Sequence, residues 1–218
     1  MIDRPALMCL PSARISCGLP VAGCHVDLAF DEAADRIGIS AVGAQLAENL
    51  VAAHIGCERR LVRVAALMPS GRPVATVRGR GAAVSVSVSH VGGLCGAAVC
   101  GTAGVGLDIV DPAEAGPALD DWFTPAELAL FPEDGLLRSR LWAAKEAAFK
   151  AARLDDGFRP RAVAIEKLDT AGFRWNVRGR HRDACGRGVF SELGTHLVAV
   201  AVAAASTPFD LPGSEEVR

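Results

Sequence analysis

The sequence predicts an α+β fold built from two similar halves, and three observations carry that expectation. A helix-period segment followed by strand-like runs occurs twice. In residues 31–55, Ile39, Val42, Leu46, Leu50 and Ala53 recur at helical spacing; in residues 134–153, Leu137, Leu141, Ala144 and Ala148 do the same. Between them VSVSVSH at 84–90 alternates with period two, a strand signal. Finally, THLVAVAVAA at 195–204 faintly echoes SHVGGLCGAAVC at 89–100, which places the join near residues 101–104. The expected division is residues 1–103 and 104–218, with a frayed tail from about 206.

Taken in order, residues 1–30 read as irregular, broken by Pro5, Pro11 and Pro20, with a strand at 25–30. Asp31 is placed to cap the first long helix. A strand at 59–67 precedes a turn at Pro69–Pro73. In 84–90 the alternation puts Val84, Val86, Val88 and His90 on one side and Ser85, Ser87 and Ser89 on the other. Gly92-Gly93 turns the chain into a returning strand at 94–100, and VGLDIV at 105–110 is a third strand. There Asp108 and Val110 share one face, while Ile109 and Asp111 are expected to point the other way. Thr124-Pro125-Ala126-Glu127 is a helix start: a capping threonine, proline at the first helical position, and glutamate three residues after the cap. Phe131-Pro132 ends that helix, and Gly157 and Pro160 close the next. Strands are expected near 161–168, 173–178 and 196–204.

Composition sets the broad class. With 218 residues, 50% hydrophobic and 22% charged, the chain is globular. A formal net charge of −2 gives no global attraction to nucleic acid or an anionic membrane. No apolar run is long enough to span a bilayer, the N-terminus is a poor secretion signal, and seven cysteines without CxxC read as reduced thiols. A cytoplasmic protein is expected.

The chemistry concentrates between Gly104 and Ala151. Trp142, Glu146 and Lys150 are spaced i,i+4 and share one helical face. Asp108 sits among apolar neighbours, where an unpaired carboxylate is costly to bury. One or two carboxylates suffice for magnesium when phosphates and waters complete its shell. Glu146 and Lys150 alone would also make an ordinary surface pair. Ser89 and His90 lie before a double glycine that admits close approach, and Arg72 sits in a Gly-Arg-Pro turn suited to a phosphate. No GxSxG, HExxH or GxxxxGK[ST] occurs, which fits a reaction whose nucleophile arrives on a substrate.

These motifs, in this order, resemble those of the larger phosphopantetheinyl transferases, which modify carrier proteins of polyketide, nonribosomal peptide and fatty acid synthesis. Gly71-Arg72-Pro73 looks like the family's Gly-Lys/Arg-Pro turn, Ser87-Val88-Ser89-His90 its Ser-x-Ser-His, and Gly106-Leu107-Asp108-Ile109 its Gly-x-Asp-x. Trp142 through Lys150 looks like its W-x-x-K-E-A-x-x-K signature. The resemblance implies two α+β halves with pseudo-twofold symmetry and an active site in the cleft between them. It implies transfer of 4′-phosphopantetheine from coenzyme A to a serine of an acyl or peptidyl carrier protein by a monomer. Carried over, Asp108 and Glu146 hold Mg2+, Lys150 with Lys145 neutralises the phosphoryl group, and Ser89, His90 and Arg72 grip coenzyme A phosphates. Glu146, directly or through water, deprotonates the incoming serine.

Two departures stand out. Val110 occupies the position where many relatives carry a second acid, and the early basic residues for the adenine-side phosphate have no clear match; Arg14, Arg36, Arg59 and Arg60 are undiscriminated candidates. A non-catalytic protein that binds carrier or coenzyme A with the same fold is the alternative; an unrelated metal-dependent phosphohydrolase is a third. A carrier-docking surface is expected over 120–140, with Trp122, Phe123, Leu136, Arg138 and Arg140.

Overall fold

The computed structural model describes residues 15–21, 24–32, 39–68, 70–114, 117–130, 135–154, 157–169, 172–180 and 183–204. Arg14, Arg36, Phe131-Pro132 and the tail from 206 lie outside them. The elements are β1 (Ile15–Val21), β2 (Cys24–Glu32), α1 (Ile39–Ile55), β3 (Val62–Leu67), β4 (Arg72–Val77), β5 (Arg80–Gly81), β6 (Ser85–Val91), β7 (Leu94–Cys100), β8 (Val105–Val110), α2 (Pro125–Leu130), α3 (Gly135–Ala152), β9 (Val163–Leu168), β10 (Gly172–Arg178), β11 (Asp183–Leu193) and β12 (His196–Ala203).

The α+β expectation holds. One sheet has the order β1-β2-β7-β6, a second β8-β12-β11-β10-β9, and a small third β3-β4-β5. The long helices cover opposite sides. α1 packs on β7, β2 and β6, with Leu46, Leu50 and Val51 against Ala97 and Val99. α3 packs on β8 and β12 through a stripe of alanines, Ala143, Ala144, Ala147, Ala148 and Ala151. Between the two larger sheets lies a shared core of Leu28, Phe30, Leu107, Ile109, Val198 and Val200. The layers therefore run helix, sheet, sheet, helix. Element order repeats as well: β2 then α1 precedes β3, β4, β6 and β7, and β8 then α3 precedes β9 to β12. In each case the strand before the long helix pairs antiparallel with the last strand of its set.

Several expectations need correction. The first helix begins at Ile39, and Asp31 lies in β2 rather than at the start of that helix. β1 lies in a region read as irregular; its Pro20 is tolerated because β1 is the edge of its sheet. β4 begins inside the expected turn, and Pro73 fits because β5 pairs only with Thr76 and Val77. β11 was missed because DACGRGVFSEL lacks alternation. Its glycines have another purpose: a Cβ at Gly188 would lie 2.1 Å from the Phe173 ring, and one at Gly186 2.6 Å from Trp175. These glycines make room for aromatic rings on the neighbouring strand. Among the described residues Cys24, Cys57, Cys95, Cys100 and Cys185 form no disulfide. Among the described residues no helix is long and apolar enough to cross a membrane.

Candidate active site

The site begins with how closely α3 lies on β8. Gly104 and Gly106 face the helix: a Cβ at Gly106 would sit 1.9 Å from the Ala147 carbonyl oxygen, and one at Gly104 2.2 Å from that of Ala151. Glycine on the strand and alanine on the helix let the two backbones touch. The next residue on that strand face is Asp108, and the exposed flank of the helix carries Glu146 and Lys150. The Lys150 ammonium donates to Asp108 Oδ1 at 2.7 Å and to the Leu107 carbonyl at 3.1 Å, and stands 3.4 Å from Glu146 Oε2. Sequence reasoning expected these three side chains to meet, and they do.

A second contact fixes β8 from its other neighbour. Ser85, Ser87 and Ser89 of β6 are buried, and their hydroxyls accept from the backbone N–H groups of Val105, Leu107 and Ile109 at 3.0, 2.9 and 3.2 Å. The two strands run parallel at this seam, and side-chain oxygens take the place of a carbonyl ladder. The alternation of VSVSVSH follows directly: valines face α1, serines face β8.

The charges perturb one another. Burial, then the neighbouring Asp108 carboxylate, push the Glu146 carboxyl from its ordinary 4.5 up to about 7; Lys150 opposes this. Burial alone would lower the Lys150 ammonium, but Asp108 and Glu146 outweigh it and its pKa is raised. Asp108 is 4% exposed, and its Oδ2 has no hydrogen-bond partner. A buried carboxylate oxygen without a donor, with the Glu146 carboxyl on the same cavity, fits a hard divalent cation. Among the described residues no cluster of three or more His, Cys, Asp or Glu side chains is poised around a metal position. Asp108 and Glu146 would hold Mg2+ as a pair, with other oxygens completing its shell.

Val88, Glu146 and Lys150 each line both of two cavities. One, of about 430 Å³, is lined by Asp108, His90 and Trp142; the other, of about 250 Å³, by Arg72, Arg153, Phe149 and Phe158. Both draw residues from either side of residue 103. An aromatic row runs beside them: Trp122–Trp142, Trp142–Phe158 and Phe149–Phe158 have ring centroids 5.7, 5.7 and 5.1 Å apart.

Other expected residues fare differently. His90 is exposed and lines the larger cavity; Arg72 lines the smaller one and donates from Nη1 to the Arg153 carbonyl at 3.0 Å. Lys145 does not reach the site. Next to Glu146 in sequence, it points about 100° away around the helix. It is fully buried, its ammonium donating to Pro160 and Val163 carbonyls and pairing with Glu127 at 2.8 Å; burial lowers its pKa and Glu127 opposes this. Arg59 and Arg60 pair with Glu48 and Glu58 and line neither cavity. On the expected docking surface Trp122 and Leu136 are exposed. Phe123 is buried, Arg138 pairs with Asp120, and Arg140 is buried over the Phe190 ring. Asp111 lines the larger cavity with Glu114, contrary to expectation: β8 ends at Val110, so strand alternation no longer governs it. Arg153 was overlooked. No local sequence pattern marks it; it lies just past the end of α3, in the left-handed conformation (φ 51°).

No curated protein matches the chain. The family model of the 4′-phosphopantetheinyl transferase superfamily matches residues 104–201, the stretch that contains Asp108, Glu146 and Lys150. Over that segment, somewhat less than half of its length, the chain is similar to the 4′-phosphopantetheinyl transferase superfamily.

Proposed function

We propose that this protein transfers 4′-phosphopantetheine from coenzyme A to a serine hydroxyl of an acyl or peptidyl carrier protein, with Mg2+ as cofactor. The observation that carries the reading is the convergence of Asp108, Glu146 and Lys150 at the larger cavity, inside the family-matched segment. The halves 1–103 and 104–218 are taken as pseudo-twofold partners, with the active site in the cleft between them. The repeated element order and the mixed cavity lining support this.

The roles follow from chemistry. The serine oxygen attacks the pantetheine-bearing phosphorus, its proton passes to a base, and adenosine 3′,5′-bisphosphate leaves. Glu146, which lines both cavities and stands 3.4 Å from the Lys150 ammonium, suits that base. Lys150 brings a cation to charge developing on the transferred phosphoryl group. Bound Mg2+ would supply further charge neutralisation at the pyrophosphate, held by Asp108 and Glu146. Arg72, Arg153 and His90 offer positive or donor groups to the remaining phosphates. Carrier docking centres on exposed Trp122 and Leu136. The protein acts as a cytoplasmic monomer.

The test is direct. Incubation with coenzyme A, Mg2+ and a panel of apo carrier proteins should add the mass of phosphopantetheine to a carrier, and Asp108→Ala or Glu146→Ala should abolish the gain. Coenzyme A binding without any mass gain would favour the non-catalytic alternative. Release of inorganic phosphate would point to a phosphohydrolase.

A further inference from the structure

Ser89 carries more than a phosphate contact can explain. A hydroxyl has one donor hydrogen and two acceptor positions. Ser89 uses all three. It donates to Asp108 Oδ1 at 2.9 Å, accepts from the Ile109 N–H at 3.2 Å, and accepts from the Lys150 ammonium at 3.5 Å. It is also 7% exposed. No hydrogen-bonding capacity remains for an incoming phosphate unless one of these bonds is given up.

We infer that Ser89 is a positioning residue for Asp108, not a ligand of coenzyme A. The inference rests on the cation site proposed above. With Oδ1 committed to Ser89 and Lys150, the carboxylate is turned so that Oδ2 alone is unpartnered. Partners that orient a liganding carboxylate typically change metal affinity about 10–100-fold when removed. Ser85 and Ser87 hold β8 in the same way but do not touch Asp108; Ser85 is wholly buried and lines neither cavity. The seam thus has a general part, which keeps β8 in register, and a specific part, which aims one oxygen.

The experiment separates these parts. Mn2+ affinity is read from the paramagnetic resonance of the free ion, with and without coenzyme A; coenzyme A affinity is read by calorimetry in EDTA. Ser89→Ala should weaken Mn2+ binding about ten-fold or more and leave coenzyme A affinity in EDTA within about two-fold. Ser89→Thr, which keeps the hydroxyl, should restore Mn2+ binding. Ser85→Ala removes an equivalent backbone bond and should lower stability without changing Mn2+ affinity. If Ser89→Ala does not fold, Ser89→Cys, a weak donor of similar size, takes its place against Ser89→Thr. Loss of coenzyme A affinity in EDTA with Mn2+ affinity kept would overturn the inference. So would equal Mn2+ losses in the Ser85 and Ser89 variants, or no Mn2+ binding by the unaltered protein. A chain that binds Mn2+ but neither binds nor uses coenzyme A would defeat the proposed function while leaving the role of Ser89 decided by the cation measurements.

Discussion

Replacing Gly106 by alanine tests the link between packing and chemistry with one methyl group. The new Cβ would lie 1.9 Å from the Ala147 oxygen and 2.6 Å from the Ala151 nitrogen, both backbone atoms that no rotamer change can move. Ordinary contact begins at 3.4 Å, so α3 must withdraw by about 1.5 Å at that point. The 2.7 Å bond between Lys150 and Asp108 would then stretch past hydrogen-bonding range, and Glu146 would move with the helix. Overpacking of this kind costs about 1–3 kcal/mol, which for a chain of this size lowers Tm by roughly 3–10 °C. A displacement of about 1 Å at a reacting centre costs about 100-fold in rate. Differential scanning calorimetry and carrier mass-gain kinetics on the same preparation give both numbers. An alanine variant with unchanged Tm and turnover would refute the claim that strand–helix contact sets the site.

Three further outcomes are expected. In EDTA, the raised Glu146 carboxyl favours the protonated fold, so its contribution to stability is lost as pH rises from about 4.5 through 7, by roughly 3 kcal/mol; Glu146→Gln should remove that loss in urea unfolding at pH 5 and 8. An identical pH profile in the Gln variant would contradict the assigned cause. Lys145→Met leaves Glu127 buried without its partner and should cost about 3–5 kcal/mol, recovered in part by adding Glu127→Gln, while the KM for coenzyme A stays put; a raised KM would return Lys145 to the site. Thr124→Ala breaks the reciprocal cap with Glu127, whose two backbone bonds measure 2.8 and 3.2 Å, and should lower unfolding free energy by about 1 kcal/mol.

What could be read beforehand depended on whether a local pattern matched a local cause. Helical spacing put Glu146 and Lys150 on one face, and the apolar setting of Asp108 called for a partner; Lys150 is that partner. The cap at Thr124 was legible because capping is short-range chemistry. Lys145 misled because a motif names residues without saying which way a helix turns them. The Ser-x-Ser pattern was visible as alternation, yet its partner N–H groups lie 20 residues on, beyond any local signal. β11 escaped for a related reason: its glycines answer to rings on a neighbouring strand. Asp111 escaped because a one-residue strand end decides its direction.

The aromatic row beside α3 has a practical side. The chain contains three tryptophans and no tyrosine, so indole dominates its ultraviolet emission. Trp175 is sealed in the core and contributes a steady background, whereas Trp142 borders the larger cavity and touches Trp122 edge-on. The molecule therefore carries an unlabelled optical gauge beside Glu146 and Lys150, and entry of any solute there can be followed in a fluorimeter.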